Sequence, residues 1–417
     1  MNRFFCSPPG GGPIDEPGSN RLIARIDEIE SYPRDEGEFT AFLGAVETRF
    51  LEKDEISRRD WQEAPISILR VEVDKEAHDP LSEALREQRR EGSFFNIELG
   101  AGRGESSVFQ HISLFDEGIP RAIYKAVPID GLDADVVRGK HDLSDVEEAD
   151  QEWLEDRLTR LDSQLRTARI YDVGQGSCAA LLTDGGKPRL FLDAGRGVLA
   201  NTRTFDREWF WHDEPTHICG GHAGLVLLSH WDWDHWAYAA KEGLECFQER
   251  IWIAPKQEVS AIHRAFAAQL DNLRLWPTSA SEIRTATLKI LKANGTSRND
   301  SGLVTVWAPT WAKGDGVLFP GDCAYGALPG GLASGKYHAV VASHHGAESR
   351  PDHIAPPPHS LNSQWIISSG ARNTFGHPTR AGHRQFTKSG WSFGQLRITS
   401  RQSEPRWPRC IGDIDIR

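Results

Sequence analysis

Apolar positions change their spacing several times along this chain, and those changes divide it. Residues 7–20, SPPGGGPIDEPGSN, have no apolar period and are rich in proline, glycine and polar side chains, so residues 1–20 are expected to form a flexible arm. Between 22 and 51 the apolar residues Leu22, Ile23, Ile26 and Ile29, then Phe39, Phe42, Leu43 and Val46, recur at helical spacing. Residues 66–73 alternate as a strand does, 80–90 carry an amphipathic helical pattern, and 107–114 and 122–129 read as strands. A charged helix is predicted over 145–165, with Val146, Leu154, Leu158, Leu161 and Leu165 as its apolar positions.

Beyond residue 165 the pattern becomes short apolar strands between glycine and aspartate turns. Residues 168–173, 179–182 and 189–193 are strand candidates, the last two joined by the turn at 183–188 as a hairpin. Further strands are predicted at 224–228, 250–253, 303–307, 316–319, 338–342 and 365–368. The expected organisation is α+β: an N-terminal α/β accessory domain over 21–165, ending in a connecting helix, and a second domain over 166–417. No repeat or catalytic motif falls in the first domain. It is read either as a packing module or as a partner-docking or inhibitory domain whose negative surface imitates an anion.

A chain of 417 residues has room for two domains at about 150 residues each, and its 39% hydrophobic content supplies cores, which excludes wholesale disorder. No apolar run approaches the roughly 20 residues of a membrane span, and the start has no apolar segment of signal-peptide length. A soluble, cytoplasmic protein with no membrane partner is expected. The six cysteines, Cys6, Cys178, Cys219, Cys246, Cys323 and Cys410, have no C-x-x-C spacing and are expected to be reduced and mostly buried. The formal net charge of −12 argues against a protein that coats nucleic acid. The charge is uneven, however: residues 1–165 carry 20 basic against 37 acidic side chains, and 166–417 carry 28 against 23, so the second half can still receive an anion.

The candidate chemistry lies in Leu225-Val-Leu-Leu-Ser-His-Trp-Asp-Trp-Asp-His-Trp236, a buried strand running into His230, Asp232, Asp234 and His235. Four metal-competent side chains within six residues can bind two ions, His230 with Asp232 and Asp234 with His235, around a shared water. A helix-capping aspartate in a polar loop is the plainer explanation, but it leaves the two histidines unaccounted for. Three further sites follow predicted strands: Asp322 in Phe319-Pro-Gly-Asp, His344 and His345 before Gly346, and His377 before Pro378. Taken singly, each could be a turn or a surface histidine; their order after the first cluster makes them ligand candidates.

Seven pieces carry a family resemblance: Asp172-Val-Gly-Gln-Gly176, Leu192-Asp-Ala-Gly195, Ser229-His-x-Asp-x-Asp-His235, Asn299-Asp-Ser301, Gly321-Asp322, His344-His-Gly346 and Gly376-His-Pro378. Over 170–399 the chain resembles the metallo-β-lactamase superfamily, in particular the hydrolase domain of ComEC-type DNA-uptake proteins. The resemblance implies an αββα sandwich with the metals at one edge of two sheets. It implies that Asp193 supports the metal loop, that Asp322 bridges the two ions and that His344 is the late ligand, with His377 next in line. His345 would then sit beside the site, contacting a phosphate or protonating a leaving oxygen; Asp234, His345 and His377 are the expected catalytic side chains. Trp236-Ala-Tyr238 replaces the family's Ile-Gly-Gly-like segment, Ser177 stands where an acidic residue is common, and residues 1–165 fall outside the match.

Aspartate at the second ligand position hardens the site, so two divalent ions are expected, Mn or Zn with Mg also suitable. The reaction class is metal-assisted hydrolysis. Arg298, Asn299, Ser301, Arg350 and Arg372, with Arg380 and Arg384, are candidate contacts to a phosphate backbone. Trp231, Trp233 and Trp236, with Trp209, Phe210 and Trp211, are candidate stacking faces or simply core. The expectation is a metal-dependent phosphodiesterase acting as a DNA nuclease. A hydrolase of a small ester, lactone or nucleotide is the first alternative. A partner-regulated effector silenced by its acidic N-terminal domain is the second.

Overall fold

The computed structural model describes residues 3–5, 20–31, 38–100, 107–114, 118–197, 224–240, 244–309, 316–347, 354–370, 377–399 and 413–416. These form a mixed α/β structure with three seven-stranded sheets and few helices. The chain divides into two compact units, one comprising residues 1–145, 240–243 and 258–270, the other 146–239, 244–257 and 271–417.

In the first unit, β1 (Arg21–Ser31), β2 (Phe39–Glu47), β3 (Ile66–Val73), β4 (Phe94–Gly100), β5 (Val108–His111), β6 (Ile119–Pro120) and β7 (Ala122–Ile129) make an antiparallel sheet in the order β6-β5-β3-β2-β1-β4-β7. Residues 22–51, expected to be helical, are therefore mainly two central strands. The reason is a buried ion pair: Arg25 Nη1 lies 2.9 Å from Asp27 Oδ1, on inward positions that alternation would fill with apolar side chains. With polar residues at 25 and 27, the remaining apolar positions mimic a helical period. One face of the sheet packs on the helix Pro80–Glu87 through Leu81, Ala84 and Leu85. That helix starts where Asp79 caps the N–H groups of Leu81 and Ser82 and Pro80 fills the first turn.

The helix Ala261–Gln269 belongs to this unit although its sequence lies in the other half of the chain. All nine of its residues are buried; it packs on β2, β3 and the helix Arg58–Gln62, whose Arg58 guanidinium donates to the carbonyls of Ala268 and Leu270. The expected arm is not wholly loose either, since Phe4 and Phe5 are buried and Phe5 meets Phe266 edge to face. Residues 6–19 lie outside the described residues.

The second unit holds two sheets. The first is β13 (Asn272–Leu275), β12 (Ile251–Ala254), β11 (Leu225–Leu227), β10 (Pro188–Ala194), β9 (Cys178–Leu182), β8 (Thr167–Ile170) and β21 (Ile414–Ile416), in that order. The other runs β14 (Glu282–Arg284), β15 (Leu288–Lys292), β16 (Leu303–Trp307), β17 (Val317–Phe319), β18 (Ala339–Val341), β19 (Gln364–Ile367), β20 (Leu396–Ile398). One apolar core joins them, with Leu181, Leu190, Leu192 and Leu227 from the first and Ile290, Leu303, Trp307 and Phe319 from the second. The helix Gln151–Asp162 contributes Leu154 and Leu158 to it, and Asp162 accepts from Thr285 Oγ1 and Thr287 N. The boundary thus falls at Asp145, not after Leu165, because this helix is part of the second core and not a connector. The other face of the β14–β20 sheet packs Leu318, Val340 and Trp365 on Phe386 of the helix Arg380–Lys388.

Cys246 is disulfide-bonded, against the expectation of reduced thiols, so cysteine usage does not argue for a reducing compartment. Cys178 and Cys323 are free and buried. Among the described residues no helix is long and apolar enough to cross a membrane.

Because Ala261–Gln269 completes the first unit, a chain cut to residues 146–417 would uncover an all-buried helix. It is expected to self-associate on size-exclusion chromatography, whereas the full chain elutes as one discrete species.

Candidate metal centre

The parallel strands β10, β11, β17, β18 and β19 deliver the candidate residues from their carboxyl ends, where turns of two sheets can converge. Asp193 is the next-to-last residue of β10, β11 runs out into Ser229-His230, β17 into Gly321-Asp322, and β18 into His344-His345. Gly195 is required by packing: a Cβ there would sit 1.7 Å from the Asp234 carbonyl oxygen. That carbonyl also accepts from Ser177 N at 3.0 Å, locking the turn of Asp234 against the start of β9.

Two groups of side chains bring their ligand atoms within 4.8 Å of one another: His230, His235 and Asp322, and Asp234, His235 and His345. His235 Nε2 lies 3.1 Å from Asp322 Oδ1, and His345 Nε2 lies 3.0 Å from Asp234 Oδ2. His230 Nε2 is 2.9 Å from Asp232 Oδ2 and 3.9 Å from Asp322 Oδ2.

Hydrogen bonds on the opposite nitrogens decide what these Nε2 atoms are. His235 Nδ1 donates to Asp193 Oδ2 at 2.8 Å, and His345 Nδ1 donates to the Ser368 carbonyl at 2.8 Å; neither acceptor can donate. Ser229 Oγ gives its proton to Asp193 Oδ2 and so accepts from His230 Nδ1 at 3.0 Å. Each Nε2 thus faces carboxylate oxygens, an arrangement that a proton on the nitrogen or a metal ion between them would satisfy. This is the arrangement of metal-ligating histidines with their outer-shell partners. Without a metal, protons fill the need. Burial alone would lower His235, but Asp322, Asp193 and Asp234 hold it well above the ordinary histidine range. His345 is raised against its own burial, mainly by Asp234. Asp322, which burial would raise, is held well below the carboxylate range by His235 and His344.

Several expectations change. His345, not His344, completes the second group, because a left-handed turn (φ 49° and 52° at the two residues) sends the pair in different directions. His344 Nε2 stays 3.7 Å from Asp322 Oδ2, with its side chain a quarter exposed. Asp232 joins neither group, since its Oδ1 is bound by Arg298 and its Oδ2 faces His230. Arg298 accordingly turns towards the centre instead of lining an open groove. His377 lies beside the centre, its ring 5.2 Å from that of His344; Gln175 Nε2 donates to its Nδ1 at 3.1 Å. Burial, then His344 and His345, push His377 well below the histidine range, so it is a neutral N–H donor. Asn299 and Ser301 form a short 3-10 turn, and Ser301 Oγ accepts from Gln257 at 2.9 Å.

Trp231, Trp233 and Trp236 are buried, and Trp231 Nε1 donates to the Pro255 carbonyl, so they are core and not stacking faces. Arg350, Arg372, Trp209, Phe210 and Trp211 lie outside the described residues. Ser229, Gln175, Gln257 and the Ser368 carbonyl escaped sequence reasoning. Ser229 and Gln175 had a signal, standing inside the pieces Ser229-His-x-Asp-x-Asp-His235 and Asp172-Val-Gly-Gln-Gly176; Gln257 and the Ser368 carbonyl act through folded proximity. Comparison with protein-family models returns no match, and neither does comparison with curated proteins.

Gly195→Ala is expected to cost about 1–3 kcal/mol or more and to displace Asp234, read as a fall in Tm together with loss of bound metal. The raised histidines stabilise the metal-free fold fully below about pH 6.5 and cease to do so as pH rises through their folded values; Asp322 contributes above about pH 3.9 and is lost as pH falls through its lowered value. A metal must displace those protons, so the Tm gain from Mn over EDTA-treated protein should be larger at about pH 8 than at about pH 6, with proton release on binding.

Proposed function

We propose that this chain is a divalent-metal-dependent hydrolase that cleaves phosphodiesters, acting as a nuclease on DNA. The observation that carries the reading is the convergence of His230, Asp234, His235, Asp322 and His345, with the histidine Nε2 atoms turned on carboxylates by Asp193, Ser229 and the Ser368 carbonyl. Two sheets sharing one core, with the candidate ligands at strand ends along one edge, support the metallo-β-lactamase αββα reading of the second unit.

The donor set is mixed imidazole and carboxylate, which suits Mn or Zn and accommodates Mg less readily. Divalent ions held there would supply Lewis acidity towards a phosphoryl oxygen and an activated water nucleophile. The chain's own residues do the rest. Asp193 and Ser368 fix the imidazoles, and the buried walls exclude bulk water. His344 and the neutral His377 take the place expected of His345, offering N–H donors to a non-bridging or leaving oxygen. Arg380 and Arg384 are exposed one turn apart on the helix that begins just after His377, a cationic face towards which a phosphate backbone is drawn.

One observation favours the small-ester, lactone or nucleotide alternative, namely that the tryptophans of the metal loop are buried and offer bases no platform. Labelled single-stranded and duplex DNA, incubated with Mn, Mg or Zn, separates the two. Metal-dependent cleavage is expected, abolished in Asp234→Ala and reduced about 10- to 100-fold in Asp193→Asn, which keeps the shape but weakens the orientation of His235. Absence of cleavage in a protein that binds metal would transfer the reading to the small substrate, or to an effector that its acidic first unit and a partner protein control.

A further inference from the structure

Arg298 occupies an unusual position for a substrate contact. Its side chain is 8% exposed and its guanidinium binds Asp232, which is 9% exposed and otherwise faces His230. The position is built from the backbone outward. Gln257 Nε2 donates to the Arg298 carbonyl at 2.6 Å, and Gln257 Oε1 accepts from Trp231 N at 3.2 Å. One side chain thus holds the loop of Arg298 in register with the loop of Asp232. A guanidinium stays charged at every pH the protein meets. It therefore both occupies an oxygen of Asp232 and opposes any second cation there by Coulomb repulsion, which burial strengthens.

We propose that Arg298 is a built-in cation standing in for an ion at Asp232. The centre then takes one divalent ion tightly, through Asp234, His235 and His345, and a second at His230, Asp322 and Asp232 only when an anion draws Arg298 away. The anion is of the phosphate class, because a planar guanidinium can exchange a carboxylate for a phosphate with the same paired donors. The second ion accordingly arrives with the substrate, and Arg298 is a positioning residue that couples the two. This inference rests on the metal-dependent reading above.

The test counts Mn ions per chain by equilibrium dialysis and atomic emission, on the full chain, on Arg298→Gln and on Asp232→Asn, with and without dimethyl phosphate, a phosphodiester too inert to be consumed. In the unchanged chain one ion should bind tightly and a second about 10- to 100-fold more weakly, the second tightening with dimethyl phosphate. Arg298→Gln should bind the second ion about 10- to 100-fold more tightly and no longer respond to dimethyl phosphate. Asp232→Asn should keep the first ion and lose the second. The tight ion reports folding of each variant, and the response of the unchanged chain to dimethyl phosphate needs no variant. Two ions of equal affinity in the unchanged chain, or no response to dimethyl phosphate, would overturn the role of Arg298 alone. No ion bound by any of the proteins would overturn the metal centre itself, and this inference with it.

Discussion

Asp193 holds the second unit's candidate metal centre together through a backbone conformation that non-glycine residues rarely adopt. Its φ of 62° lies in the left-handed region, at a cost of about 1–3 kcal/mol unless the surroundings over-determine it. Here they do. The carboxylate at the end of β10 accepts from Ser229 N, Ser229 Oγ and His235 Nδ1, so both ends of the loop 229–235 are fixed by one side chain. The orientation of His230 follows through the Ser229 hydroxyl, and Gly195 lets the turn of Asp234 close against the same strand. Strain, carboxylate and glycine therefore act within three residues, Asp193 to Gly195.

The legible parts of this fold are those in which local pattern and final environment agree. Residues 303–307 and 122–129 are strands as their patterns indicate, and His230, Asp234 and His235 fall into groups that could hold a metal, while Asp232 does not. Illegible parts have identifiable causes. Arg25 and Asp27 disguise β1 because buried polar groups break the alternation by which strands are recognised. His344 and His345 are neighbours in sequence, and a positive-φ turn, not their chemistry, decides which of them faces Asp234. Arg298 is attractive as a phosphate contact on charge alone, whereas a carboxylate reached across the fold claims it first. Spacing identifies residue types that can do chemistry; it does not identify their partners.

Polar groups in the interior carry specificity in both units. In the first, Asp27 Oδ2 lies 3.7 Å from His263 Nε2, both groups fully buried, and Gly44 leaves the space that Ser260 and Asp27 fill. Apolar packing would accept many placements of a helix on a sheet, but a buried carboxylate needs its partner at one register. The pairing thus ties the helix Ala261–Gln269 to β1 more narrowly than its alanines could.

That tie has a consequence for how the chain is made. The seven strands of the first sheet have all left the ribosome once residue 129 has emerged, yet the helix that buries against β2 and β3 follows only after β8 to β12 of the second unit. The two units cannot be completed in the order in which they are translated. During synthesis the first sheet must wait with an apolar face uncovered for more than a hundred residues, the state in which nascent chains most need a chaperone.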